Sequence, residues 1–162
     1  MGLFIGIMAV VIAFIVIAAT VMAKNNAKLA SEGKIVARKD VFYEKIQEYT
    51  LAVDDAELVT KALRTVPYEE LRITAKGNTV EQVFTFEAAT YEAGLYRKSH
   101  GDGKSVYCFN FTQWKTMRYG TPQSLTGMNM LLTAIEKAML SVDPNTQVRT
   151  EEMKVKTKAR VL

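Results

Sequence analysis

The chain holds one histidine, His100, and one cysteine, Cys108. To work as base and nucleophile they would have to meet, and a third group would have to orient the base. Eight residues of expected strand and turn separate them, which does not bring them together, and no orienting group is evident. Cys108 reads as a small buried hydrophobe on a strand. His100 reads as a solvated turn residue. One of each excludes the usual Cys/His metal clusters. A lone cysteine also excludes an intrachain disulfide, which fits a reducing compartment.

Other chemical motifs fail on spacing. Gly103-Lys104-Ser105 looks like the end of a phosphate-binding loop, but the motif needs a glycine where Lys98 stands. It also needs a helix to follow, whose first amides hold phosphate, and here a strand is expected. Glu69-Glu70 and Asp54-Asp55 are adjacent carboxylates. They suit caps and solvated ends, whereas acid–base catalysis needs carboxylates converging from separate elements. Tyr91, Tyr96, Tyr107, Phe109, Phe111, Trp114 and Tyr119 cluster where strands are expected. Aromatic sheets on basic domains can bind single-stranded nucleic acid. The accompanying aromatic-basic motif is missing, and a net charge of +4 is modest. Core packing accounts for most of these rings, so neither a nucleic acid nor a cofactor is expected.

The charges that remain as candidates lie beside the longest apolar stretch. Leu3 to Ala23 carries no charge and no proline. As a helix it is roughly 31 Å long, close to the hydrocarbon thickness of a bilayer. It is apolar all round, with no polar side for water. Residues 1–23 are therefore expected to form a transmembrane helix. A cleaved signal needs a basic start and a shorter apolar run, and this stretch has neither. An exported pilin-like head is the rival, but that arrangement expects a carboxylate early in the apolar run. Gly2 and Gly6, with Ala9 and Ala13 repeating the spacing, offer a stripe along which two such helices can approach. The helix is thus a route to a homo-oligomer.

Lys24, Lys28, Lys34, Arg38 and Lys39 follow the span, against the single acid Glu32. Cations beside a span stay on the cytoplasmic side, so the soluble domain is expected there. Residues 24–40 read as a basic stalk whose cations set topology and are candidates for contact with anionic headgroups or a partner. Residues 147–162 read as a basic tail or an edge strand. There Lys154, Lys156, Lys158 and Arg160 alternate with smaller residues and are candidates for the same kind of contact.

Residues 41–146 read as one soluble α+β domain, large enough for a core without disulfides. Val41 to Val53 fits helix or strand, with helix expected from Phe42, Ile46, Tyr49 and Val53. Asp54 is the expected cap of a helix running to Thr65, with Leu58, Val59, Ala62 and Leu63 as its apolar face, ended by Pro67. Leu71, Ile73 and Ala75 begin a two-residue period. Gly77-Asn78 is the expected hairpin turn, and Val80, Phe84 and Phe86 line the returning strand. Strands near Tyr91 to Lys98 and Lys104 to Trp114 follow, Tyr107, Phe109 and Phe111 forming one stripe. Thr121 and Pro122 should start a last helix that stops before Asp143.

Together these patterns predict a four-stranded antiparallel sheet packed against two or three helices, behind a single membrane helix. The expected function is a membrane-anchored binding or scaffolding module with a protein partner and without catalysis. A tethered hydrolytic enzyme, using carboxylates that spacing does not identify, is the alternative. An exported or ligand-sensing domain is a third.

Overall fold

The structure is a computed structural model. It describes residues 2–38, 41–81, 83–118, 120–153 and 160–161, with only the backbone described for residues 2–10, 22 and 160–161. The chain divides into two compact units, residues 1–37 and 38–162.

The first unit is built on α1, Gly2–Ser31. It is the one helix among the described residues long and apolar enough to cross a membrane, a test that signal sequences and soluble core helices also pass. The helix does not stop at Ala23 but continues through the first eight residues of the basic stretch. Gly33, at φ 66°, follows its end and supplies the left-handed residue that commonly terminates helices.

The second unit runs in the order β1 (Lys45–Leu51), α2 (Ala56–Arg64), α3 (Tyr68–Leu71), β2 (Thr74–Asn78), β3 (Val83–Glu87), β4 (Tyr91–Gly101), β5 (Lys104–Thr116), α4 (Leu125–Val142), β6 (Gln147–Glu152) and the two-residue β7 (Arg160–Val161). The class is α+β, as expected. The sheet has six strands on one path, β2-β3-β4-β5-β1-β6, rather than four, and β7 pairs in parallel beside β5.

The two added strands come from the ambiguous segments. Val41 to Val53 is not a helix: a short 3-10 turn at Phe42–Glu44 leads into β1. Gln47, Tyr49 and Leu51 are buried at a period of two, because β1 lies between β5 and β6 and shows only one face to the core. Residues 147–152 form the edge strand β6, antiparallel to β1.

Every neighbouring pair along the path is antiparallel. Leu51, Phe84, Phe86, Leu95, Tyr107, Phe109 and Phe111 point to one face of the sheet and are at most 2% exposed. Met128, Leu131, Leu132, Ile135 and Met139 of α4 and Val59 and Leu63 of α2 complete that core. Each such side chain contributes about 1.5–3 kcal/mol by leaving water. Phe109 and Phe111 meet edge to face at 5.2 Å, and Tyr91 reaches from β4 to donate to the Gly127 carbonyl of α4 at 3.1 Å.

Several expected boundaries move. Asp55, not Asp54, caps α2, its Oδ1 accepting from the Leu58 amide at 3.0 Å. The buried face of α2 is Val59, Thr60 and Leu63, and Leu58 is exposed. Leu71 ends α3 instead of opening a strand. Gly77 and Asn78 lie inside β2, and the turn comes after them, placing Val80 outside the sheet and in water. Gly77 has φ +83°, and a Cβ there would lie 2.4 Å from the Val83 carbonyl oxygen of the facing strand, so the close approach itself demands glycine. The last helix begins at Leu125, three residues after Pro122. Pro122 forms a bridge to Thr116 instead of starting the helix.

Candidate functional site

The helices α2, α3 and α4 take one face of the sheet, and the opposite face carries the polar chemistry. Alternation sets which side chains appear there. Along β4, Glu92, Gly94, Tyr96 and Lys98 share that outer face. Along β5 it is Cys108, Asn110 and Thr112, and along β3 Val83, Thr85 and Glu87. At Gly94 the face has no side chain. A groove of about 360 Å³ opens there, lined by Val83, Thr85, Glu92, Tyr96, Asn110 and Thr112 among others. Val83 and Tyr96 are exposed apolar walls, and Glu92 and Glu87 place carboxylates at one end. Glu87 is met by Lys76 at 2.8 Å.

Beside the groove lies a small cluster. Glu48 on β1 and Tyr96 on β4 flank Cys108 on β5 as its register partners. Glu48 pairs with Lys98, and the Cys108 thiol points its hydrogen at Glu48 Oε2, 3.8 Å away. Burial pushes the Cys108 thiol up, and the Glu48 carboxylate beside it acts in the same direction. A thiol held protonated is a poor nucleophile. Lys98, by contrast, is held in its charged form by the hydrogen bond to Glu48.

A second cluster sits at the β4–β5 hairpin. Asp54, freed from capping, pairs with Arg97, and His100 Nδ1 lies 3.7 Å from the same carboxylate oxygen. His100 faces Ser105 across the hairpin, whereas Cys108 faces Tyr96. The structure therefore keeps His100 and Cys108 apart. His100 is also more than a solvated turn residue, because an acid stands beside it. Gly103-Lys104-Ser105 enters β5 directly, with no helix to hold phosphate. Among the described residues, no three His, Cys, Asp or Glu side chains converge as a metal site.

The cations singled out by sequence have diverse places. Lys24 lies exposed on α1. Lys28 and Lys34 both approach Glu32, at 3.9 and 3.0 Å. Arg38 is engaged inside the second unit: its guanidinium grips Glu136 of α4 and also reaches Asn129 and Thr133. Lys39, Lys154, Lys156 and Lys158 lie outside the described residues. Arg160 contributes its backbone to β7. Neither the groove nor the two clusters is encoded in residue spacing along the chain. The parity of Gly94, Tyr96 and Lys98 was the available signal, but it acquires meaning only when β3 and β5 are placed on either side.

No protein-family model matches this chain, and no curated protein is significantly similar to it.

Proposed function

We propose that this chain is a single-pass membrane-anchored binding module that acts without catalysis, with its α+β domain on the cytoplasmic side. The observation that carries the proposal is the groove over Gly94, on the sheet face that α2, α3 and α4 leave uncovered. Its walls are apolar at Val83 and Tyr96 and acidic at Glu92. That lining suits a protein partner offering an apolar side chain beside a cation. Apolar anchors seated in small pockets dominate many protein interfaces. The length and composition of α1 support the anchor. Lys24, Lys28 and Lys34 just beyond its apolar part support the orientation. Cys108, facing Tyr96 and held protonated by burial, forms no nucleophile–base pair with His100, which faces Ser105.

Filling the groove tests the idea. A Cβ at Gly94 would meet only the Thr112 methyl, at an ordinary 4.0 Å, so Gly94→Val adds volume to the groove without a backbone clash. In full-length protein carrying a photoreactive residue at Thr112, crosslinking to a partner in cells should fall about tenfold or more with Gly94→Val, the scale of losing one interface anchor. The melting temperature should hold. Undiminished crosslinking to the same partner would remove the groove from consideration.

A further inference from the structure

We propose that the open edge of β6 pairs antiparallel with β6 of a second copy of this chain, in one register centred on Thr150. Among the described residues β6 ends the sheet path, with β1 as its single strand neighbour. Five of its six residues are exposed. A strand in this position presents unpaired amides and carbonyls, which are a template for another strand.

The side chains decide which strand fits. Arg149 and Glu151 lie on the outer face, opposite Glu48 and Ile46. Thr150 lies on the other face, where its hydroxyl donates to Gln47 Oε1 at 2.9 Å. In a two-fold antiparallel pair, residues directly opposite share a face, so a one-residue slip is forbidden. Centring on Thr150 sets Arg149 of each copy against Glu151 of the other. A shift of the centre to residue 149 sets arginine against arginine, and a shift to 151 sets glutamate against glutamate. Opposite charges directly across a pair stabilise it, and like charges oppose it. Arg149 is 3.4 Å from Glu151 within one chain, so the same two groups can exchange partners without moving far.

Charges on an edge strand ordinarily repel foreign strands. Here they do so while remaining complementary to their own copy. The opposite edge, β2, lacks this property: it is distorted at Gly77, and Lys76 is taken by Glu87. Pairing of five residues from each copy, 148–152, is weak in solution, and confinement of both copies in one membrane raises their effective concentration. The strength of the contact thus rests on the anchoring proposed above, but its register does not, nor does it involve the groove.

Cysteine crosslinking reads the register directly. Opposed residues in an antiparallel pair have Cα atoms roughly 4.5–5.5 Å apart, within disulfide range. Full-length Thr150→Cys, oxidised in its native membrane, should give a covalent dimer. Ser99→Cys, exposed on β4 away from this edge, should not. Native Cys108 stays in both and is 2% exposed. Adding Arg149→Glu should cut the Thr150→Cys dimer about tenfold, as two attractive pairs become two repulsive ones. Adding Glu151→Arg to that variant should restore it. Failure of Thr150→Cys to crosslink would overturn the pairing. So would equal crosslinking by Ser99→Cys, or a dimer indifferent to Arg149→Glu, which would mean contact through α1 alone.

Discussion

Arg38 and Glu136, 98 residues apart in sequence, meet as a two-pronged ion pair: Nη1 lies 2.9 Å from Oε1 and Nη2 lies 2.6 Å from Oε2. Nε donates to Asn129 at 2.9 Å, and the guanidinium lies 5.8 Å from the centre of the Phe42 ring. The side chains are only 12% and 19% exposed. The pair clasps the first residue of the second unit onto its last helix. Arg38→Ala should destabilise that unit by about 2–3 kcal/mol, since it leaves a half-buried carboxylate without its partner. Arg38→Lys should recover less than half of this, because an ammonium cannot form the fork. Urea unfolding checks both values, and a change below about 0.5 kcal/mol for Arg38→Ala would mean the clasp is decorative.

Two glycines of the sheet should respond in opposite ways to the same methyl group. Gly77→Ala forces a Cβ to 2.4 Å from the Val83 carbonyl oxygen at a positive φ, and should cost about 2 kcal/mol or more. Gly94→Ala meets open space and an ordinary contact, and should be neutral or mildly stabilising in a strand. Thermal melts of the two variants side by side decide the matter.

Stability should fall in alkali. Burial pushes Tyr49 well above its ordinary value of 10.0 and raises Tyr68 and Tyr91 in the same direction, while Cys108 rises from 9.0. Above those ordinary values the unfolded chain loses protons that the folded chain keeps. The folded state then binds more protons, so stability declines as pH rises. The contribution is whole below about pH 9 and shrinks through the folded-state values. The urea midpoint should drop between neutral pH and about pH 10.5, and Tyr49→Phe should lessen the drop. The Tyr49 hydroxyl is buried and has no hydrogen-bond partner among the described residues, so the variant should keep its stability at neutral pH.

The side of the membrane can be read with one thiol. Ser99→Cys places an exposed cysteine on β4, whereas native Cys108 is buried. An impermeant maleimide should label it only after cells are opened, if the cations after the apolar run hold the domain inside. Labelling of intact cells would reverse the orientation.

Function should follow the anchor and not the two reactive side chains. His100→Ala with Cys108→Ala should leave cellular function nearly intact, because these residues sit opposite Ser105 and Tyr96 and do not meet. Replacing Leu3 to Ala23 with a soluble leader should abolish it. The reverse outcome would point to chemistry at the Asp54–Arg97–His100 cluster.

The sequence by itself determined the parts whose signal is local. A charge-free run of this length is a long apolar helix whatever surrounds it, and α1 extends through it. The alternation of Tyr107, Phe109 and Phe111 required a half-buried strand, and the apolar stripe of Met128, Leu131, Leu132, Ile135 and Met139 required a core-facing helix. Helix stops before Pro67 and Asp143 also held, because backbone sterics near proline act within a residue or two. Tertiary structure decided what depends on neighbours. Residues 45–51 carry helical and strand periods together, and pairing with β5 and β6 resolved them toward strand. Asp54 and Asp55 are equally good caps in isolation, and Arg97 on a distant strand claimed Asp54. Arg38 reads as one stalk cation among five until α4 brings Glu136 beneath it. The groove exists only because β3 and β5 wall in Gly94. A bare backbone position becomes a cavity through what stands on either side, and spacing along one chain does not encode that.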